Sequence, residues 1–235
     1  NNSIDLNSYK PKCTKDKKLF LKLINGYQEY KEELHLIDFD DMLQKAYEIM
    51  VNDKECLDFL RNKYRYIQVD EYQDTNLIQK DIIYLLAGQD GNLAVVGDDD
   101  QSIYAFRGAK PEIMLNFQKE YPKSKMVKMS TNYRSGKKII SEADRVIKSN
   151  TNRFQKDFIG FKPENGAVEY IVTEEKKDEI LKIYSRIKKL LNDGENPADI
   201  AVLFRTNRQA EKMAAILFRN QIPFQSNEKI QSKYE

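Results

Sequence analysis

Tryptophan is absent from this chain of 235 residues, histidine occurs once and cysteine twice. Cys13 and Cys56 form no Cys-x-x-Cys pair, and His35 has no Cys or His close to it in sequence. This argues against a disulfide framework or a structural metal site, and makes a reducing interior the default. His35 reads as an ordinary surface or helix residue. No apolar run approaches the roughly 18 residues of a membrane-spanning helix, and no secretory leader pattern opens the sequence. Charge of one sign is also missing: 39 Lys+Arg against 37 Asp+Glu leave +2. A nucleic-acid surface must therefore be a local patch and not a bulk field. Finally, the chain has no Gly-rich phosphate loop.

What is present is 40% hydrophobic and 32% charged residues, the balance of a soluble protein with a modest core and a heavily charged surface. The length suits one large domain or two small ones. The chain opens on Asn1-Asn2-Ser3 and closes on Ser232-Lys233-Tyr234-Glu235. Both ends lead us to expect an excised piece of something longer.

Apolar spacing predicts a helix from about Asp16 to Glu33, with Leu19, Leu23, Tyr27 and Tyr30 in register. Asp38 is placed to cap a second helix through Ala46 and Met50, with acids in its first turn. A short helix near Asp53 to Asn62 leads into a strand, Tyr66 to Val69. A helix from Thr75 to Leu86, a turn at Gln89 to Asn92 and a second buried strand, Leu93 to Val96, follow. A helical turn is expected at Ile103 to Phe106, one helix at Pro111 to Glu120, and a third strand at Lys125 to Met129. Beyond Thr131 we expect a helix (Lys137 to Lys148), a long polar loop (Asn150 to Asn165), and a strand (Val168 to Val172). Next come an amphipathic helix (Glu175 to Asn192) with Ile180, Ile183, Ile187 and Leu190 inward, a buried strand (Asp199 to Phe204) and a last helix (Gln209 to Asn220). Alternating strands and helices predict an α/β fold with a parallel sheet and right-handed crossovers.

Two strings stand out. Val69-Asp70-Glu71-Tyr72-Gln73-Asp74-Thr75 follows the first strand, and Gly97-Asp98-Asp99-Asp100-Gln101-Ser102-Ile103-Tyr104-Ala105-Phe106-Arg107-Gly108-Ala109 follows the second. Both place carboxylates and amides at the carboxyl edge of a sheet, where open α/β folds bind ligands. Adjacent acids at such an edge suit a magnesium-nucleotide site: one holds the metal and its neighbour orients an attacking water. An isolated Asp-Glu would more often only cap the next helix. The two strings together argue against that reading.

The Asp70 string resembles the Walker B motif (motif II) of the UvrD/PcrA/Rep family of superfamily 1 DNA helicases. Val96 to Ala109 resembles its motif III, and Thr131-Asn132-Tyr133-Arg134-Ser135 its motif IV. Ile37 to Leu43 is similar to the segment re-entering its first motor domain, and Ile200 to Asn207 to an early strand and loop of the second. The tail after Pro223 departs from the pattern: Gln225-Ser226-Asn227-Glu228-Lys229-Ile230 stands where Gly-Gly and a Phe-rich stretch are expected, which leaves the subfamily open.

The resemblance implies RecA-like motor pieces: residues 1–36 as the end of a helical insertion (1B-like), 37–130 as the latter part of the first motor domain (1A-like), and 131–235 as the first part of the second (2A-like). It implies ATP and Mg²⁺ as cofactors, with Asp70 holding the metal through water, Glu71 activating water, Gln101 sensing the γ-phosphate and Arg134 acting like an arginine finger. Tyr133 resembles the adenine-stacking residue, and Arg107 is implied to bridge motif III to nucleotide or DNA. Tyr104 and Phe106 are implied to stack on single-stranded DNA, or alternatively fill the gap between sheet and helix. Arg205 and Asn207 resemble DNA-touching residues, or are simply an exposed loop end. The implied parent is an ATP-dependent 3′–5′ helicase acting on single-stranded and partly duplex DNA in the bacterial cytoplasm, in repair or replication. An AddA/RecB-type helicase-nuclease subunit and a non-catalytic scaffold remain as alternatives. The family's Walker A loop is not in this chain, so the isolated chain is expected to be inactive. The Lys-rich stretches are assigned no contact.

Overall fold

The computed structural model describes residues 16–89, 91–226 and Ile230. Cys13, both chain ends, Asp90 of the expected turn and residues 227–229 of the tail lie outside the described residues. The chain's contacts group into two compact units, Asn1–Ala167 and Val168–Glu235.

The first unit opens with α1 (Lys17–Glu33) and α2 (Phe39–Asn52). Asp16 caps α1 by accepting the Leu19 N–H, and Asp38 and Asp41 form a reciprocal capping box on α2. Lys31, only 5% exposed, reaches both of these acids, at 2.9 Å to Asp38 and 2.6 Å to Asp41. A buried ammonium needs such partners. Its hydrogen bond to Asp41 leads in raising its pKa to about 12. The Asp41 N–H and then Lys31 lower Asp38 to about 2.

Asp53 caps α3 (Lys54–Lys63), which runs into β1 (Tyr66–Val69). An Asn76/Gln79 capping box starts α4 (Leu77–Ala87), and β2 (Asn92–Val95) pairs with β1 in parallel, Tyr66 opposite Asn92 and Val69 opposite Val95. This is one βαβ crossover, as the alternation of elements predicted. The two strands are not buried on both faces, however. Their exposure alternates, with Tyr66 79% exposed while Ile67 and Val69 are half-buried. An apolar run alone cannot tell one covered face from two. The unit also holds an aromatic cluster: Tyr72 meets Phe117 edge-on at 5.8 Å, Phe117 stacks on Tyr121 at 5.1 Å, and Tyr121 meets Tyr84 at 5.0 Å. Met50, Ile78 and Ile113 are also buried.

Three expectations need correction in this unit. The helix at Pro111 to Glu120 is broken at Asn116 into α5 (Pro111–Leu115) and α6 (Phe117–Glu120). The Lys125 to Met129 segment joins no ladder among the described residues, and Val127 and Met129 are 85% and 78% exposed; alternation gives an extended run but supplies no partner. Pairing starts later, at β3 (Thr131–Asn132), with β4 (Ile159–Gly160) inside what read as a structureless loop. Between them lies α7 (Lys137–Ile147).

In the second unit α8 (Lys176–Asn192) packs on α9 (Asn207–Arg219) around Ile187, Met213 and Leu217. Ile180 and Ile183 join this core as predicted, Leu191 packs against it too, and Leu190 is half-buried. The expected strands at Val168 to Val172 and Asp199 to Phe204 form no ladder among the described residues. Asp199 ends a 3-10 turn. Ile200, Val202 and Phe204 still face the core, whereas Leu203 is 93% exposed, the period-two burial of an extended segment.

Candidate functional site

At the end of β1 the chain turns sharply over Asp70 and Glu71. Glu71 has φ 49°, in the left-handed region. Such a conformation costs a non-glycine residue roughly 1 kcal/mol and gathers at functional sites. The Asp70 carboxylate accepts the Glu71 N–H at 2.8 Å, and both acids are exposed. The following 3-10 turn, Tyr72–Asp74, sends Tyr72 and Gln73 inward, at 0% and 1% exposure. Asp74 is half-buried and its pKa is raised, chiefly by burial and further by the Glu71 charge.

Gln73 fastens the two strand ends together. Its Nε2 donates to Glu71 Oε2 at 2.6 Å, and its Oε1 accepts the Asp98 N–H at 2.9 Å. Its backbone oxygen accepts from Ser102 Oγ at 3.3 Å. The neighbouring Tyr72 N–H donates to the Val96 oxygen at 2.9 Å. Gly97 leaves room for this: a Cβ there would lie 2.4 Å from Gln73 Oε1. Asp98 then caps the 3-10 turn Asp99–Gln101 through the Asp100 N–H. Its other oxygen accepts from Gln101 Nε2 at 2.8 Å. Glu71, Gln73, Asp98 and Gln101 thus form one continuous polar chain, with Glu71 and Gln101 at its exposed ends.

The carboxylate oxygens of Asp98, Asp99 and Asp100 lie within 4.8 Å of one another, a spacing suited to a cation. The cations found there belong to the chain itself. Arg153 grips Asp100 through Nε at 2.6 Å and Nη2 at 2.5 Å, a two-point fork. Lys156 lies 2.5 Å from Asp98, 3.2 Å from Asp100, and also pairs with Asp99. The Phe154 N–H donates to Asp99 at 2.8 Å. Arg153 leads in holding Asp100 below the usual carboxylate range. Burial pushes Asp98 upward, but hydrogen bonds from Lys156 and Gln101 outweigh it and the net direction is down.

The aromatic pair lies just beyond. Tyr104 and Phe106 are 5.9 Å apart and tilted by 50°, and Phe106 is 79% exposed. The Arg107 guanidinium lies over both rings, at 5.0 and 5.5 Å. Before α7, the Asn132 side chain accepts the Arg134 and Ser135 N–H groups, each at 2.9 Å. This turn presents Tyr133, 65% exposed and 4.9 Å from the Phe161 ring. The exposed Arg134 guanidinium has no hydrogen bond or ion pair with a described residue, and none joins Tyr133 or Arg134 to Asp70, Glu71 or Gln101. Arg205 and Asn207 belong to the second compact unit. Both are exposed, and Asn207 opens α9 behind its Thr206 cap.

Sequence reasoning placed Gln73 and Asp98 in the two motif strings without giving either a role, and passed over Arg153 and Lys156. The last two lay in a polar stretch read only as loop. A basic pair at i, i+3 facing an Asp triplet was the available signal, but nothing in the sequence set the two stretches opposite each other.

Against models of known families, residues 1–122 match the UvrD/REP helicase N-terminal domain and residues 127–232 the UvrD-like helicase C-terminal domain. The chain belongs to the UvrD/REP helicase family. Among its curated relatives, a putative ATP-dependent DNA helicase YjcD of Bacillus subtilis is 37% identical over 213 residues, covering 91% of this chain and 28% of that protein. The ATP-dependent DNA helicase PcrA of Staphylococcus epidermidis is 36% identical over 199 residues, covering 85% of this chain and 27% of that protein. PcrA of Staphylococcus aureus is 36% identical over 200 residues, with the same coverage. The chain therefore spans little more than a quarter of these UvrD-type relatives. No helix among the described residues is long and apolar enough to cross a membrane.

Proposed function

We propose that this chain supplies the water-activating and phosphate-sensing part of an ATP-driven motor that moves 3′ to 5′ along single-stranded DNA and opens duplex, serving repair or replication in the cytoplasm. The observation that carries the reading is the polar chain from Glu71 through Gln73 and Asp98 to Gln101. A group that activates water at one strand end is thereby coupled to an amide at the next, which can both donate to and accept from a phosphate and its hydrolysis water.

In this reading residues 37–130 belong to the first RecA-like motor domain, 131–235 to the second, and the residues before 37 to a helical insertion. Asp70 has one oxygen on the Glu71 N–H and an exposed carboxylate, which suits holding hydrated Mg²⁺ through water. When bound, such an ion would supply neutralisation of charge on the phosphate oxygens. Glu71 orients the attacking water and takes its proton. Arg134, whose guanidinium is uncommitted, neutralises charge on the transferred phosphoryl. Tyr133 stacks on adenine, and Arg107 joins motif III to nucleotide or DNA. Tyr104 and Phe106 stack on bases, while Arg205 and Asn207 touch the strand from the second motor domain.

The test is ATP turnover by the full-length protein in the presence of single-stranded DNA. Glu71→Gln keeps the shape and removes the base, and is expected to lower turnover by on the order of 10²–10⁴ while leaving nucleotide binding intact. Unchanged turnover would refute the assignment. The chain by itself, which contains no phosphate loop, is expected to release no phosphate on addition of DNA.

A further inference from the structure

Lys156 touches all three carboxylates of the Asp98–Asp99–Asp100 cluster, whereas Arg153 touches Asp100 alone. The two cations stand in different surroundings. The Arg153 and Asp100 side chains are 3% and 9% exposed, so their fork is an interior clamp that seats the segment. Asp98 is 29% exposed and lies between Lys156 and Gln101. Its Oδ1 accepts from the Lys156 ammonium at 2.5 Å and from the Asp100 N–H at 3.2 Å. Its Oδ2 accepts from Gln101 Nε2 at 2.8 Å. With Oδ1 held from two sides the carboxylate is restrained, and through Oδ2 it anchors Gln101 Nε2.

Without Lys156, three carboxylates within 4.8 Å would keep one compensating cation. Like charges at this separation repel. Asp99 and Asp100 are held by the Phe154 N–H and by Arg153, whereas Asp98, the most exposed of the three, would keep only the Asp100 N–H and the Gln101 amide and is the member that repulsion would push toward water. Gln101 would lose its anchor.

We propose that Lys156 is a positioning residue for nucleotide turnover: it locks the Asp98 carboxylate so that Asp98 presents the Gln101 amide in one orientation. Lys156 touches no reacting atom. The inference rests on the reading of Gln101 as the phosphate-sensing amide. It also means that Gln101 is poised only while the segment from Arg153 to Lys156 is seated on the Asp triplet.

The experiment is a mutant cycle in the full-length protein, reading kcat and KM for DNA-stimulated ATP hydrolysis. Lys156→Met is expected to lower kcat on the order of 10–100-fold, the scale of a misplacement of about 1 Å, with little change in KM for ATP. Lys156→Arg is expected to recover most of that loss. In the Gln101→Ala background, Lys156→Met should cost little more, because the two act through one amide. If Lys156→Met instead costs the same factor with and without Gln101, the lysine acts independently and the proposal falls. If Gln101→Ala alone leaves turnover unchanged, it is the reading of Gln101 that fails, a different result from the first. Should Lys156→Met show no cooperative melting, Lys156→Gln, which keeps a donor for Asp98, enters the same cycle and the same outcomes decide.

Discussion

The carboxamide oxygen of Gln73 accepts the backbone N–H of Asp98 at 2.9 Å, although 25 residues separate the two in sequence. The turn after β1 is thereby bolted to the turn after β2, inside a pocket that only a glycine at 97 leaves open. The bolt is buried, whereas the acids and amide it aligns are exposed.

Breaking the bolt should cost stability as well as turnover. Gln73→Ala leaves the Asp98 N–H without its acceptor, a loss of about 1–3 kcal/mol. Gly97→Ala drives a methyl group against Gln73 Oε1, with overpacking of about 1–3 kcal/mol. Urea unfolding of the chain should show both variants with lower midpoints. The double variant should fall short of the sum, because both act on the same side chain. Full additivity would contradict a shared mechanism.

The Lys31–Asp38–Asp41 cluster predicts a pH dependence of two signs. Asp38 has its folded pKa depressed from 3.8 to about 2, so its contribution is complete above 3.8 and is lost as pH falls through about 2. Lys31 has its folded pKa raised from 10.5 to about 12, so its contribution is complete below 10.5 and is lost as pH rises through about 12. Unfolding midpoints of the native chain and of Asp38→Asn should therefore differ at neutral pH and converge toward pH 2. Parallel curves across the acid range would show that the carboxylate's ionisation contributes nothing.

The aromatic pair predicts how the full-length protein holds single-stranded DNA. Phe106→Ala should weaken binding by about 1–3 kcal/mol, the usual worth of one base stacked on an aromatic face. Phe106→Trp should tighten it. Arg107→Ala should weaken it and also flatten its salt dependence, because a phosphate or base cation is lost. Fluorescence anisotropy with a labelled oligonucleotide measures all three. Equal affinity for Phe106→Ala would return both rings to a packing role.

The helices were legible because their signals are local. Asp16, Asp38 and Asp53 each cap a helix as a short polar side chain ahead of an apolar-periodic run should. β1 was legible to the residue, and β2 to within one position. The segments at Lys125 to Met129, Val168 to Val172 and Asp199 to Phe204 carried the same apolar pattern, yet join no ladder among the described residues. A strand is completed by a partner, and a partner is not a local property. Likewise Asp70, Glu71 and Gln101 were singled out from their strings, while Lys156 was not, since its meaning depends on what it faces.

The sequence by itself determined which side chains were available: a pair of acids after one strand, an Asp triplet and an amide after the next, an arginine ahead of α7. Periodicity and capping act over a few residues, so the chain order was enough to place them. Only the tertiary structure decided which of them meet. Gln73 reaches Asp98, and Arg153 with Lys156 offsets two of the triplet's three charges, because the fold brings residues 25 to 58 positions apart within hydrogen-bond range, and a contact of that kind is fixed by packing and electrostatics in space.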